Sequence, residues 1–145
     1  MYSQPKGLAS YSKIANVETD PIRQIVMLYD GAMKFLHRTA DDIEAGDFVA
    51  KGEHSTRALD IINYLQSILD FEKGGGVAES LDNLYRSVGA MVLRASARLD
   101  AASMRKAASI LAPVRDAWET NARMSDIPGH FETSPAAATS ISSRG

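Results

Sequence analysis

Apolar positions recur at spacings of three and four along most of the chain, the mark of helices that bury one face. Ile22, Ile25, Val26, Tyr29, Met33, Leu36, Ala40 and Ile43 form the first stripe, widened by Leu28 and Phe35. They predict a helix from Pro21 to Ala45, opened by Asp20 as cap and by a proline whose missing N–H costs nothing in the first turn. Gly46 stops it in the left-handed conformation open to glycine, and Asp47 can cap a second helix over Phe48 to Leu69. That helix carries Ala58, Ile61, Ile62, Leu65, Ile68 and Leu69, but its first half is polar and contains Gly52, worth about 1 kcal/mol against alanine.

The stretch from Asp70 to Gly76, with three consecutive glycines, is expected to be a connecting loop. A third stripe follows in Val77, Leu81, Leu84, Tyr85, Val88, Met91, Val92, Ala95 and Leu99. A fourth helix is expected over Ser103 to Arg123, kinked or broken near Ser109 to Pro113, because proline removes one hydrogen bond and crowds the preceding turn. Short connections turn successive helices back on one another, so the fold class predicted is all-α, an antiparallel four-helix bundle over 20–124. Leu8, Tyr11, Ile14 and Val17 recur every three residues in 1–19, an expected N-terminal leader. The Ser-, Ala- and Pro-rich stretch 125–145 is expected to be a disordered tail. More apolar residues line up than one thin rod is expected to hide, Leu28 and Phe35 first among them.

Composition narrows the chemistry. The 145 residues fit one domain, and 16 Lys+Arg against 18 Asp+Glu leave a net charge of −2, without the basic footprint of a nucleic-acid binder. With no cysteine there is no disulfide, thiol nucleophile or thiolate metal site, and no stretch is apolar enough for a signal peptide or stable membrane insertion. A cytoplasmic location is the expectation. No Glu-x-x-His pair marks a di-iron bundle, and His37, His54 and His130 are scattered, so neither metal nor cofactor is expected. No phosphate-binding loop or nucleophile elbow is present and no catalytic role is assigned. One alternative stays open: His54-Ser-Thr-Arg57 loosely fits a histidine phosphotransfer bundle, although Ala58 and Leu59 stand where a small glycine is expected. A structural adaptor for another helical client is the second alternative.

Four segments carry a resemblance: Ile25-Val-Met-Leu-Tyr-Asp-Gly-Ala-Met-Lys-Phe-Leu36, Ser67-Ile-Leu-Asp-Phe-Glu-Lys-Gly-Gly75, Leu81-Asp-Asn-Leu-Tyr-Arg86 and Arg115-Asp-Ala-Trp118. In this order and spacing the chain resembles the FliS family, flagellin-specific secretion chaperones of bacteria, over about residues 8 to 123. Pro113, the polar opening of the second helix and the long tail depart from the pattern. The resemblance implies a cytoplasmic, non-enzymatic helical chaperone that binds the C-terminal segment of flagellin, prevents its premature polymerisation and helps deliver it to the flagellar export gate. It marks Tyr29, Leu69, Phe71, Leu84 and Tyr85 as partner-binding candidates, although each also sits where a core residue would. Phe71 is the sharpest, being expected in the loop. Tyr11 and Ile14 of the leader are candidates to cover a client groove and be displaced by the client; a weak homodimer through a displaced leader stays open. Asp30 is expected to pair with Lys34, Arg38 with Asp42, and the Trp118 indole to need a polar partner in the core.

Overall fold

A computed structural model describes residues 20–124, which fold as four helices: α1 (Pro21–Ala45), α2 (Phe48–Ser67), α3 (Phe71–Arg98) and α4 (Ala101–Met124). Each start is capped as the sequence dictates. The Asp20 carboxylate accepts from the Ile22 N–H at 2.9 Å, Asp47 from Ala50 at 3.1 Å and Asp70 from Lys73 at 3.1 Å. Asp100 accepts from both the N–H and the hydroxyl of Ser103, which holds its carboxyl below the usual carboxylate range. Gly46 closes α1 at φ +73°, its N–H donating to Ile43 and the Asp47 N–H to Asp42.

The predicted fold class holds, with corrections at three joints. The second helix ends at Ser67, not Leu69, and the expected loop from Asp70 to Gly76 is helical from Phe71 onward. Asp70 nucleates the turn early, and only Gly75, at φ +50° and ψ −123°, interrupts it before the helix resumes. The fourth helix starts at Ala101 rather than Ser103, because the Asp100 carboxylate caps it by accepting from the Ser103 N–H. It then runs unbroken through Pro113. Pro113 and Ser109, whose carbonyl loses its donor to the proline, both lie on the exposed face, where water can replace the missing bond.

Helix α1 packs extensively against both α4 and α2, whereas α3 completes the square by touching α2 and α4 more lightly. Gly31, Ala32 and Ala40 on α1 and Ala107 and Ala108 on α4 are buried; small side chains let these two helices lie close. The pair is clamped outside by Arg105 to Asp41 and Glu44 at 3.0 and 2.6 Å, and by Arg115 to Asp30 at 2.8 Å. Asp30 thus pairs across helices rather than within α1, and Asp42 likewise reaches His54 of α2 at 2.6 Å. Because α1 has two close neighbours, its buried arc is wider than one stripe. Leu28 and Phe35, expected to exceed what the rod hides, are buried.

One residue works against the fold. Leu99 terminates α3 at φ +55°, ψ +45°, a left-handed conformation costly for a residue with a Cβ, and its side chain is 45% exposed. Leu99→Gly is expected to stabilise the chain by about 1 kcal/mol, raising Tm by roughly 4 °C in a thermal melt. An unchanged or lower Tm would show that the exposed leucine contributes more than its backbone costs.

Candidate functional site

Two tyrosines named from the sequence meet inside the bundle. The Tyr29 and Tyr85 hydroxyls, from diagonally opposite helices, share a hydrogen bond of 2.7 Å with ring centroids 6.3 Å apart. Both rings are buried, so in this conformation they stitch α1 to α3 and present no surface. Burial pushes the Tyr29 phenol up to about 12, opposed by Tyr85 and Trp118, and pushes Tyr85 up as well, reinforced by Tyr29. Trp118 of α4 completes the cluster. Its indole N–H stands near the Tyr29 hydroxyl without hydrogen-bond geometry and has no partner among the described residues, although the side chain is fully enclosed.

Leu69 and Leu84 are half-buried and lean on the core, while Phe71, the first residue of α3, is 51% exposed. These three and the tyrosines are therefore not one constellation. Tyr11 and Ile14 lie outside the described residues.

Leu84 belongs to a line that the sequence did not separate from the main stripe. Val77, Leu84 and Met91 recur every seven residues along one flank of α3, all half-buried and packed on the core. That flank turns toward α4, because Met91 and Ala95 share a cavity of about 160 Å³ with Ser103 and Lys106. On α4, Ser103, Ile110 and Val114 share one face at intervals of seven and four, Ile110 and Val114 again half-buried against the core. The opposite flank of α4 is occupied by Arg105 and Arg115 reaching α1. Together these residues line an apolar seam between α3 and α4, half-buried and packed on the core. From Val77 to Met91 it spans about 21 Å at 1.5 Å per residue, the length of a four-turn helix.

Helix α3 meets α4 about as lightly as it meets α2, and far more lightly than α1 meets its two neighbours. On the α2 side it is pinned by Gln66 donating to Asp82 at 2.7 Å and by Lys51 donating to the Ser96 carbonyl at 3.2 Å. Arg86 also pairs with Asp82, and the Gln66 bond leads in holding that carboxyl below its usual range. A second, shallower concavity lies on α1, where Met27, Asp30, Gly31 and Lys34 line about 220 Å³. It coincides with the Leu-Tyr-Asp-Gly segment.

His54 has a structural role. One ring nitrogen is engaged by Asp42 and the ring stacks on Phe35 at 5.9 Å, with Arg57 over the same phenyl. A phosphoacceptor histidine is instead presented free to its donor, and nothing in this arrangement favours that reading. Among the described residues no three His, Cys, Asp or Glu side chains converge as a metal site, and no helix is long and apolar enough to cross a membrane.

The class the fold defines is an all-α, antiparallel four-helix bundle. Its lineage is specific: the family model for flagellar protein FliS matches residues 4–125. The chain belongs to the FliS family. It is 36% identical over 118 residues to the flagellar secretion chaperone FliS of Salmonella typhimurium, covering 78% of this chain and 87% of that one. It is 30% identical over 121 residues to the Vibrio cholerae flagellar secretion chaperone FliS, covering 83% and 85%, and 28% identical over 123 residues to FliSB of Pseudomonas aeruginosa, covering 82% and 97%.

Proposed function

We propose that this chain is a cytoplasmic, non-enzymatic chaperone that binds the C-terminal segment of flagellin, keeps it from polymerising prematurely and helps deliver it to the flagellar export gate. Membership in a family whose relatives are named flagellar secretion chaperones supports the process. The observation that carries the mechanism is the α3–α4 seam, which we read as a client groove: Val77, Leu84, Met91, Ile110 and Val114 stay half-buried there with no fifth helix over them among the described residues.

A secreted filament subunit whose apolar helical faces await assembly needs substitute packing until it leaves. A groove one helix long on a capped, clamped bundle supplies it, while the client folds as it binds and unfolds as it departs. Ordering the client costs about 2–5 kcal/mol, so the bound segment must continue beyond one groove onto neighbouring surface. Exposed Phe71, beside half-buried Leu69 at the start of α3, offers such surface. Calorimetric titration with a flagellin C-terminal peptide should give saturable binding at micromolar concentration or below. No heat and no complex on gel filtration would overturn the proposal.

A further inference from the structure

The α3–α4 seam is apolar from Val77 to Met91 and basic at one end. Where α3 ends and α4 begins, the cavity that Met91 and Ala95 floor is rimmed by Arg94, Arg98 and Lys106. Arg94 and Lys106 are exposed and make no ion pair among the described residues, in contrast to Arg86, Arg105 and Arg115, all committed to carboxylates. The one carboxylate in the cavity, Asp100, is occupied in capping α4 through Ser103 and faces Arg98. Among the described residues three cations therefore surround a hollow lined by a single, already engaged anion. In a chain of net charge −2 this is a local excess that no described carboxylate beyond Asp100 offsets.

We propose that this cavity takes a carboxylate of the bound client segment and so fixes the register of that segment in the α3–α4 groove. The inference rests on the chaperone reading above. A carboxylate set between two guanidinium groups and an ammonium gains charge-assisted hydrogen bonds, and the first Asp100-capped turn of α4 adds the positive end of its dipole. An aliphatic neighbour of that carboxylate would rest on Met91 and Ala95. Apolar burial along the groove is indifferent to sliding by a turn, because one leucine-like contact replaces another. A single ionic anchor at one end removes that degeneracy, which is the ordinary use of charge at an interface. The carboxylate has two sources, an Asp or Glu side chain or the chain terminus of the client.

The test is a calorimetric cycle with the full chain, pairing wild type and the double variant Arg94→Gln/Lys106→Gln with three flagellin C-terminal peptides: free acid, C-terminal amide, and free acid with every Asp and Glu changed to Asn and Gln. Both substituted positions are exposed and outside the apolar groove, and Arg98 is left to face Asp100. The double variant should bind the free acid about tenfold more weakly at low salt, with the gap closing as ionic strength rises. One modified peptide should lose the same factor on wild type and nothing further on the variant: the amide if the terminus is the anchor, the neutralised peptide if a side chain is. Equal affinity of both proteins for all three peptides would overturn the anchor and leave the chaperone reading standing. Failure of every peptide to bind wild type would overturn both.

Discussion

Leu84→Glu is expected to weaken flagellin binding by about a hundredfold or more while the bundle stays folded. Leu84 stands midway between Val77 and Met91, so a client helix in the groove must cover it from above. A carboxylate there would be taken out of water without a partner, a penalty of at least 2–3 kcal/mol, and about 2.8 kcal/mol is a factor of a hundred. In the free chain the same side chain is only half-buried, so the glutamate can bend its charge into solvent and the fold loses about 1 kcal/mol. Asn83→Glu supplies the control, adding the same charge on the exposed face of the same helix. It should alter affinity by less than about twofold. If the two variants bind alike in calorimetry, with matching circular dichroism, the client does not use this groove.

Placement of Leu84 also shows where the sequence stops being legible. The helices could be read from periodicity and caps because both are local: Asp20, Asp47 and Gly46 act within a turn of themselves. The start of α3 is obscured for the same reason. Three glycines look like a loop, yet Asp70 caps a turn ahead of them and Gly75 absorbs the break alone. The partner-binding candidates depend instead on which helix lies opposite which. Tyr29 and Tyr85 come from segments as distinctive as Leu84, but they turn inward across the diagonal of the bundle. The stripe on α3 is so wide that its core members and the flank Val77, Leu84 and Met91 merge; Ala78, Tyr85 and Val92 repeat at the same interval of seven and are buried, so spacing alone does not separate them. Cross-helix charge pairing was equally hidden. Asp30 has a lysine four residues on, but geometry gives it to Arg115, 85 residues away. The basic cavity arises from three residues spread over two helices and could not be seen before the turn between them was known.

Trp118→Ala is expected to cost about 3–5 kcal/mol, the range for deleting a large enclosed side chain. Set against a typical total of about 5–15 kcal/mol, that leaves the chain on the edge of unfolding. Trp118→Phe should cost far less, about 1–2 kcal/mol, because the lost packing is partly offset: the indole N–H has no partner among the described residues, and removing it relieves a buried unsatisfied donor. Urea unfolding followed by circular dichroism measures both, since Trp118 is the chain's single tryptophan and its fluorescence disappears with it. The neighbourhood makes a sharper demand. In wild type the Tyr29 hydroxyl is committed to Tyr85 at 2.7 Å. After Tyr85→Phe that hydroxyl is left with the nearby indole, and a small shift would let Trp118 donate to it. Trp118→Phe should then be more costly in the Tyr85→Phe background than alone, by about 0.5–1.5 kcal/mol of coupling, because it would remove the only donor left to a buried oxygen. Strict additivity would mean that the indole cannot reach Tyr29 even when unopposed. The cluster would then hold α1, α3 and α4 together by ring packing, with a single hydrogen bond at its centre.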